Sequence, residues 1–129
     1  SNMLLNDLKY ISQKVKEYNE NILLNSENPH YYRIKYLNIS DNWREMVCTL
    51  QKHKILNSTH VSNLYDFFTD IYYLNDKYDE LAGISANEPN GKARKIQVKQ
   101  RINAKYSDMQ KKYNEHIEEV RNALIFKGI

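Results

Sequence analysis

Glycine, proline and cysteine are all scarce in this 129-residue chain, which has three, two and one of them. Three glycines leave little material for glycine-built phosphate loops or for repeated hairpin turns. The same scarcity excludes collagen-like, disulfide-rich and low-complexity classes. The lone Cys48 cannot close an intramolecular disulfide, so folding needs no oxidising compartment and a cytoplasmic setting is expected. Long apolar runs are missing as well: none approaches the roughly 20 residues of a membrane span. Mean hydropathy is −0.79. What is abundant is Asn, Lys, Ile and Tyr, with eleven tyrosines against three phenylalanines. Nucleotide composition explains that bias as readily as function does.

Hydrophobic spacing predicts helices throughout. Leu4, Leu8, Ile11, Val15, Tyr18 and Ile22 alternate steps of four and three, the period of one helix face, which predicts a helix over about 4–25. Asn25-Ser26-Glu27-Asn28-Pro29 stops it, because proline bars helical angles in its predecessor. Residues 26–38 read as a tyrosine-rich connection draped over the core. Asn38 or Ser40 can cap a second, shorter helix over 40–52, with Ile39, Trp43, Met46, Val47 and Leu50 on one side and Asp41 near its positive end. Asn57-Ser58-Thr59 offers the cap of a third, 59–82, carrying Val61, Leu64, Phe68, Ile71, Tyr78 and Leu81. Gly83 suits a left-handed residue just past that helix, in a loop ending at Gly91. A fourth helix, 92–126, continues the stripe through Ile102, Tyr106, Met109, Tyr113, Ile117, Val120 and Leu124.

The expected fold is therefore all-α: an antiparallel up-down-up-down four-helix bundle with a short second helix and a long fourth helix. One end of that fourth helix is expected to project or to pair with another subunit, a possible homodimer. Ser1-Asn2 reads as a tag remnant, leaving residues 3–129 as one domain and leaving room for an anchor upstream.

Charge is segregated. Residues 92–127 hold ten Lys or Arg against four acids, whereas residues 1–91 hold nine against twelve. Arg94, Arg101, Lys105 and Lys112 fall within about 40° on the helical wheel, a candidate contact surface for anions or a partner. Lys95 and Lys99 stand where apolar residues belong, so the first turns of this helix are expected outside the core. The competing reading is a solvated face beside the acidic third helix, which carries Asp66, Asp70, Asp76, Asp79 and Glu80.

Chemistry-bearing constellations are few. Two-metal bundles need repeated Glu-x-x-His, and no such repeat is present; His116 has Glu115, Glu118 and Glu119 around it, but at helical spacing they face different ways. No cofactor or metal is expected. Cys48, beside Val47, reads as a buried and inert thiol, with His53 too far round the helix to act as its base. Asp66 and Asp70 share a helix face, but no second helix supplies an obvious partner. Asn75 replaces an apolar seam residue and can fix register through a buried hydrogen bond.

Three stretches carry a resemblance: Tyr18 through Leu24; Leu37 through Trp43; and Lys54-Ile55-Leu56 leading to Leu64-Tyr65-x-x-Phe68-x-x-Ile71-x-x-Leu74-Asn75. In pattern, over about residues 18–75, they resemble the soluble helical domains of small, uncharacterised prokaryotic membrane-anchored proteins. That resemblance implies a module tethered on the cytoplasmic side of a membrane, with the tryptophan as a core anchor and no assigned activity or ligand. The long basic fourth helix departs from it. Together these readings lead to a non-enzymatic protein-interaction or sensory module that binds a protein partner or itself. The alternative is a soluble nucleic-acid-associated protein using the basic face.

Overall fold

The computed structural model describes residues 2–19, 42–85 and 87–127. All regular structure among them is helical: α1 (Asn2–Glu17), α2 (Trp43–Lys52), α3 (Ser58–Gly83) and α4 (Gly91–Lys127). At about 1.5 Å per residue they run from roughly 15 Å for α2 to roughly 55 Å for α4. α4 is the spine, with α3 and α1 packed along it and α2 packed on α3. None of the described helices is long and apolar enough to cross a membrane.

The apolar stripes become one core. Leu8, Ile11 and Val15 of α1, Trp43 and Leu50 of α2, Leu64, Phe68 and Ile71 of α3, and Ile102, Met109, Ile117 and Val120 of α4 are all buried, as their spacing predicts. Phe67 and Leu74 join them, because α3 is gripped from two sides, by α2 and by α4, and needs a wider apolar arc than one stripe. Tyr106 and Tyr113 are core residues.

Several boundaries depart from expectation. α1 leaves helical geometry after Glu17, not at residue 25; Ile22 and residues 20–41 as a whole lie outside the described residues. The stop is tertiary, since Gln110 of α4 donates through Nε2 to the carbonyls of Val15 (2.8 Å) and Tyr18 (3.1 Å). The Val15 carbonyl also takes the Tyr18 amide (3.3 Å), so a backbone turn and the glutamine together close the end of α1. Asn38, Ile39, Ser40 and Asp41 fall outside the described residues too, and α2 opens instead behind Asn42, whose side chain makes no capping bond. At its other end α2 closes in a Schellman turn: Ile55 N–H bonds Leu50 O (2.9 Å) and Lys54 N–H bonds Gln51 O (3.0 Å). Lys54 takes the left-handed position with φ 61°.

Gly83, expected to be left-handed, lies inside α3 instead. The chain leaves through an extended Ile84, whose side chain is buried, so the exit direction is set by packing and not by backbone freedom. The glycine requirement lies at Gly91, where a Cβ would run into the carbonyl of Ser85. The start of α4 is also nearer the core than expected. Val98 is buried, while Lys95 and Lys99 are half-buried.

Candidate functional site

The four predicted basic residues are spread along one side of α4 and meet different neighbours. Arg94 pairs with Glu88 in the preceding loop. Arg101 is exposed, and its charge helps hold the Glu80 carboxyl below its ordinary value, after the larger effect of the Lys77 hydrogen bond. Lys112 pairs with Asp108 one turn back (3.2 Å), and that hydrogen bond raises its ammonium above the ordinary lysine value. Lys105 turns inward to Asp70 (3.1 Å) and lies over the Tyr73 ring, 4.8 Å from its centroid. Three of the four cations thus answer acids of this same chain.

Asp70 corrects an expectation: it is buried on α3, and another helix, α4, does supply partners. One carboxylate oxygen takes the Lys105 ammonium, and the other accepts the Tyr113 hydroxyl at 2.5 Å. Burial first, and then Asp70, push the Tyr113 phenol up from its ordinary value. A charged-acceptor hydrogen bond at the edge of the core ties α3 to α4 at one register. The missed signal was the i, i+8 pair Lys105 and Tyr113, about 80° apart on α4 and flanking one side chain opposite.

The tyrosine excess has a second local use. Tyr18, just past α1, stacks on Tyr106 with centroids 3.8 Å apart and planes 7° apart, and its hydroxyl bonds Asn103. Burial, and after it the neighbouring Tyr78, drive the Tyr106 phenol far above its usual range. Beside this stack α1 and α4 border open space. A cleft of about 520 Å³ opens among Ser12, Lys16, Phe67, Met109, Tyr113 and Asn114. A second of about 320 Å³ lies across Tyr18 and Gln110, reaching Asn103 and Ser107.

A third feature is on the surface. Trp43 Nε1 donates to the Tyr72 hydroxyl (2.9 Å), and the Trp43 ring stacks on Phe68 and meets Tyr65 edge-on. The Arg44 guanidinium lies 4.9 Å from the Trp43 ring centroid and 5.9 Å from that of Tyr72. Tyr65 and Tyr72 remain 40% and 37% exposed. Cys48, expected to be buried, is exposed on α2, because Val47 takes the core position and the next residue is turned about 100° away.

Among the described residues no group of three or more His, Cys, Asp or Glu side chains converges as metal ligands would. His116 and the glutamates around it are all exposed. No protein-family model, no curated protein and no solved structure matches this chain.

Proposed function

We propose that this chain is a non-enzymatic interaction module, an up-down-up-down antiparallel helical bundle, and that its working surface is the aromatic face shared by α2 and α3. The observation that carries the reading is the exposed strip Tyr65, Thr69, Tyr72 and Asp76, recurring every three or four residues, with Arg44 stacked beside it. Tyrosine and arginine dominate binding hot spots because each brings a large contact area and polar ends that can still be paired. A guanidinium laid over aromatic rings has its orientation already settled before a partner arrives.

The partner this face fits best is a second copy of the chain. It carries both a cation, Arg44, and an acid, Asp76, so a two-fold pairing sets each against its opposite. The four basic residues of α4 support the nucleic-acid alternative less well, because Glu88, Asp70 and Asp108 already occupy three of them. Tethering on the cytoplasmic side of a membrane belongs to the same reading, and carbonate washing of membranes that hold the native gene product tests it.

Sedimentation velocity from about 1 to 100 μM tests the working surface, a range that brackets a Kd worth about 6–8 kcal/mol. A concentration-dependent dimer in the wild type, lost in Arg44→Glu and in Tyr65→Ser, is expected. A wild-type chain that stays monomeric throughout, or variants that dimerise as it does, overturns the proposal.

A further inference from the structure

Large apolar side chains left exposed on this molecule are not scattered evenly. Among the described residues they are Met3, Tyr65, Tyr72, Ile96, Ile125 and Phe126. Tyr65 and Tyr72 belong to the face proposed above, and Ile96 stands by itself on α4. The other three meet at one end of the bundle.

The contacts between helices bring them there. Phe67 of α3 meets Tyr113 of α4 while Asp70 reaches back to Lys105, so residue numbers rise on one helix as they fall on the other. The same holds for α1, where Val15 faces Gln110 and Tyr18 faces Asn103. At a common rise of about 1.5 Å per residue, Met3 and Ser58 therefore fall level with the last two turns of α4. The end of α2 joins them, because Trp43 stacks on Phe68 and only residues 53–57 separate Lys52 from Ser58.

This end is cationic as well. Lys52, His53, Lys54 and Lys127 are exposed there. Residues 2–6, 46–65 and 120–127 contain no acid, and Asp7, one turn beyond Met3, is buried. Along their helices the nearest exposed acids, Glu45, Asp66 and Glu119, stand about 10–12 Å from this end, at least one Debye length at physiological salt. The apolar tips are most pronounced at Phe126, 82% exposed, followed by Met3 at 49%.

The two properties together select the occupant. A soluble polyanion answers the lysines and leaves the apolar tips in water, while an apolar pocket answers the tips and leaves the lysines. A second copy brought end to end sets cation against cation. An anionic bilayer supplies both partners, acyl chains below and phosphates at its surface.

We propose that this end of the bundle docks on an anionic lipid surface. Met3, Ile125 and Phe126 enter the boundary between headgroups and chains, and Lys52, Lys54 and Lys127 meet the lipid phosphates. The contact is peripheral, and it rests neither on the α2–α3 face nor on a tether elsewhere. The formal net charge of the whole chain is only +3, so the attraction is local and orients the molecule.

The test is co-sedimentation of the full chain with phosphatidylcholine vesicles holding about 30% phosphatidylserine, against vesicles of phosphatidylcholine alone. Binding to the mixed vesicles that weakens with added salt is expected, with little binding to the neutral ones. Phe126→Ser, at a side chain outside the core, is expected to weaken it about tenfold. Lys52→Gln and Lys127→Gln are each expected to weaken it about fivefold, and Arg101→Gln, exposed toward the other end of α4, to leave it unchanged. No binding to the mixed vesicles overturns the proposal, as does equal binding to the neutral ones or an equal loss in Arg101→Gln. Lysine variants that fail while Phe126→Ser binds as the wild type assign the end to a soluble polyanion and overturn it too. Tyr65→Ser, the variant used against the dimer, is expected to keep its vesicle binding, so the two readings fail separately.

Discussion

Among the described residues two carboxylates are buried, and their surroundings differ. Asp70, in the seam between α3 and α4, has each oxygen engaged, one by Lys105 and the other by Tyr113. Asp7, on α1, is as thoroughly covered, yet its Oδ2 has no partner, and burial raises its carboxyl above the ordinary value. The seam between α3 and α4 is one where a buried charge specifies register, while α1 is held by apolar contacts and a polar clamp at its far end. Burial of charge teaches specificity only where a facing helix answers it.

The sharpest way to break the contrast is Asp70→Ala. It strands the Lys105 ammonium and the Tyr113 hydroxyl together, so a loss of about 2–4 kcal/mol in denaturant unfolding is expected. Asp70→Asn, which keeps an acceptor for Tyr113, is expected to lose less. Equal losses in the two variants would mean that the charge, and not the hydrogen bond to Tyr113, carries the seam.

Gln110→Ala acts on the other region. It removes two donors from the end of α1, and about 1–2 kcal/mol is expected to go with them. Hydrogen exchange is the informative readout: amides of α1 are expected to open faster while those of α3 hold their protection. Uniform loss of protection would show that α1 and α3 unfold as one unit.

Asp7→Asn has the smallest expected effect, and its sign is opposite. A carboxyl whose folded value is raised binds its proton more tightly folded than unfolded. Its penalty is therefore fully present above the raised value and is relieved as pH falls through that value towards the ordinary 3.8. Asp7→Asn is expected to gain a little stability at neutral pH and to flatten that part of the pH profile, read from melting temperatures across the acid range. A loss at neutral pH would mean that the ionised form has a use in the fold.

How far these features could be read in advance depends on the range of the interaction. The start of α3 is legible because its determinants are adjacent: Asn57 accepts the His60 amide at 2.8 Å and His60 Nδ1 accepts the Asn57 amide at 3.1 Å, a capping box closed within four residues. The end of α1 is not legible, since its acceptors are met by a glutamine more than ninety residues away. Asp70 has the same problem: its spacing from Asp66 suggests an exposed acidic face, and only the position of Lys105 and Tyr113 on the neighbouring helix makes it a buried anchor. Cys48 shows how little separates the two outcomes, since one step along α2 moves a thiol from core to surface. The basic row on α4 was visible as a row, but which cations have partners within the chain was not.

What the amino-acid sequence determined by itself is the helical class, the positions of α3 and α4, and the residues that fill the core. Those follow from a 3.6-residue period and from scarce glycine and proline, properties of neighbours along the chain. Tertiary structure alone decided where α1 stops, which way the chain leaves α3, which charges are paired, and where a cleft is left beside α1 and α4. Each of these is a meeting of groups distant in the chain, and the energy of such a meeting depends on a separation that no local pattern encodes.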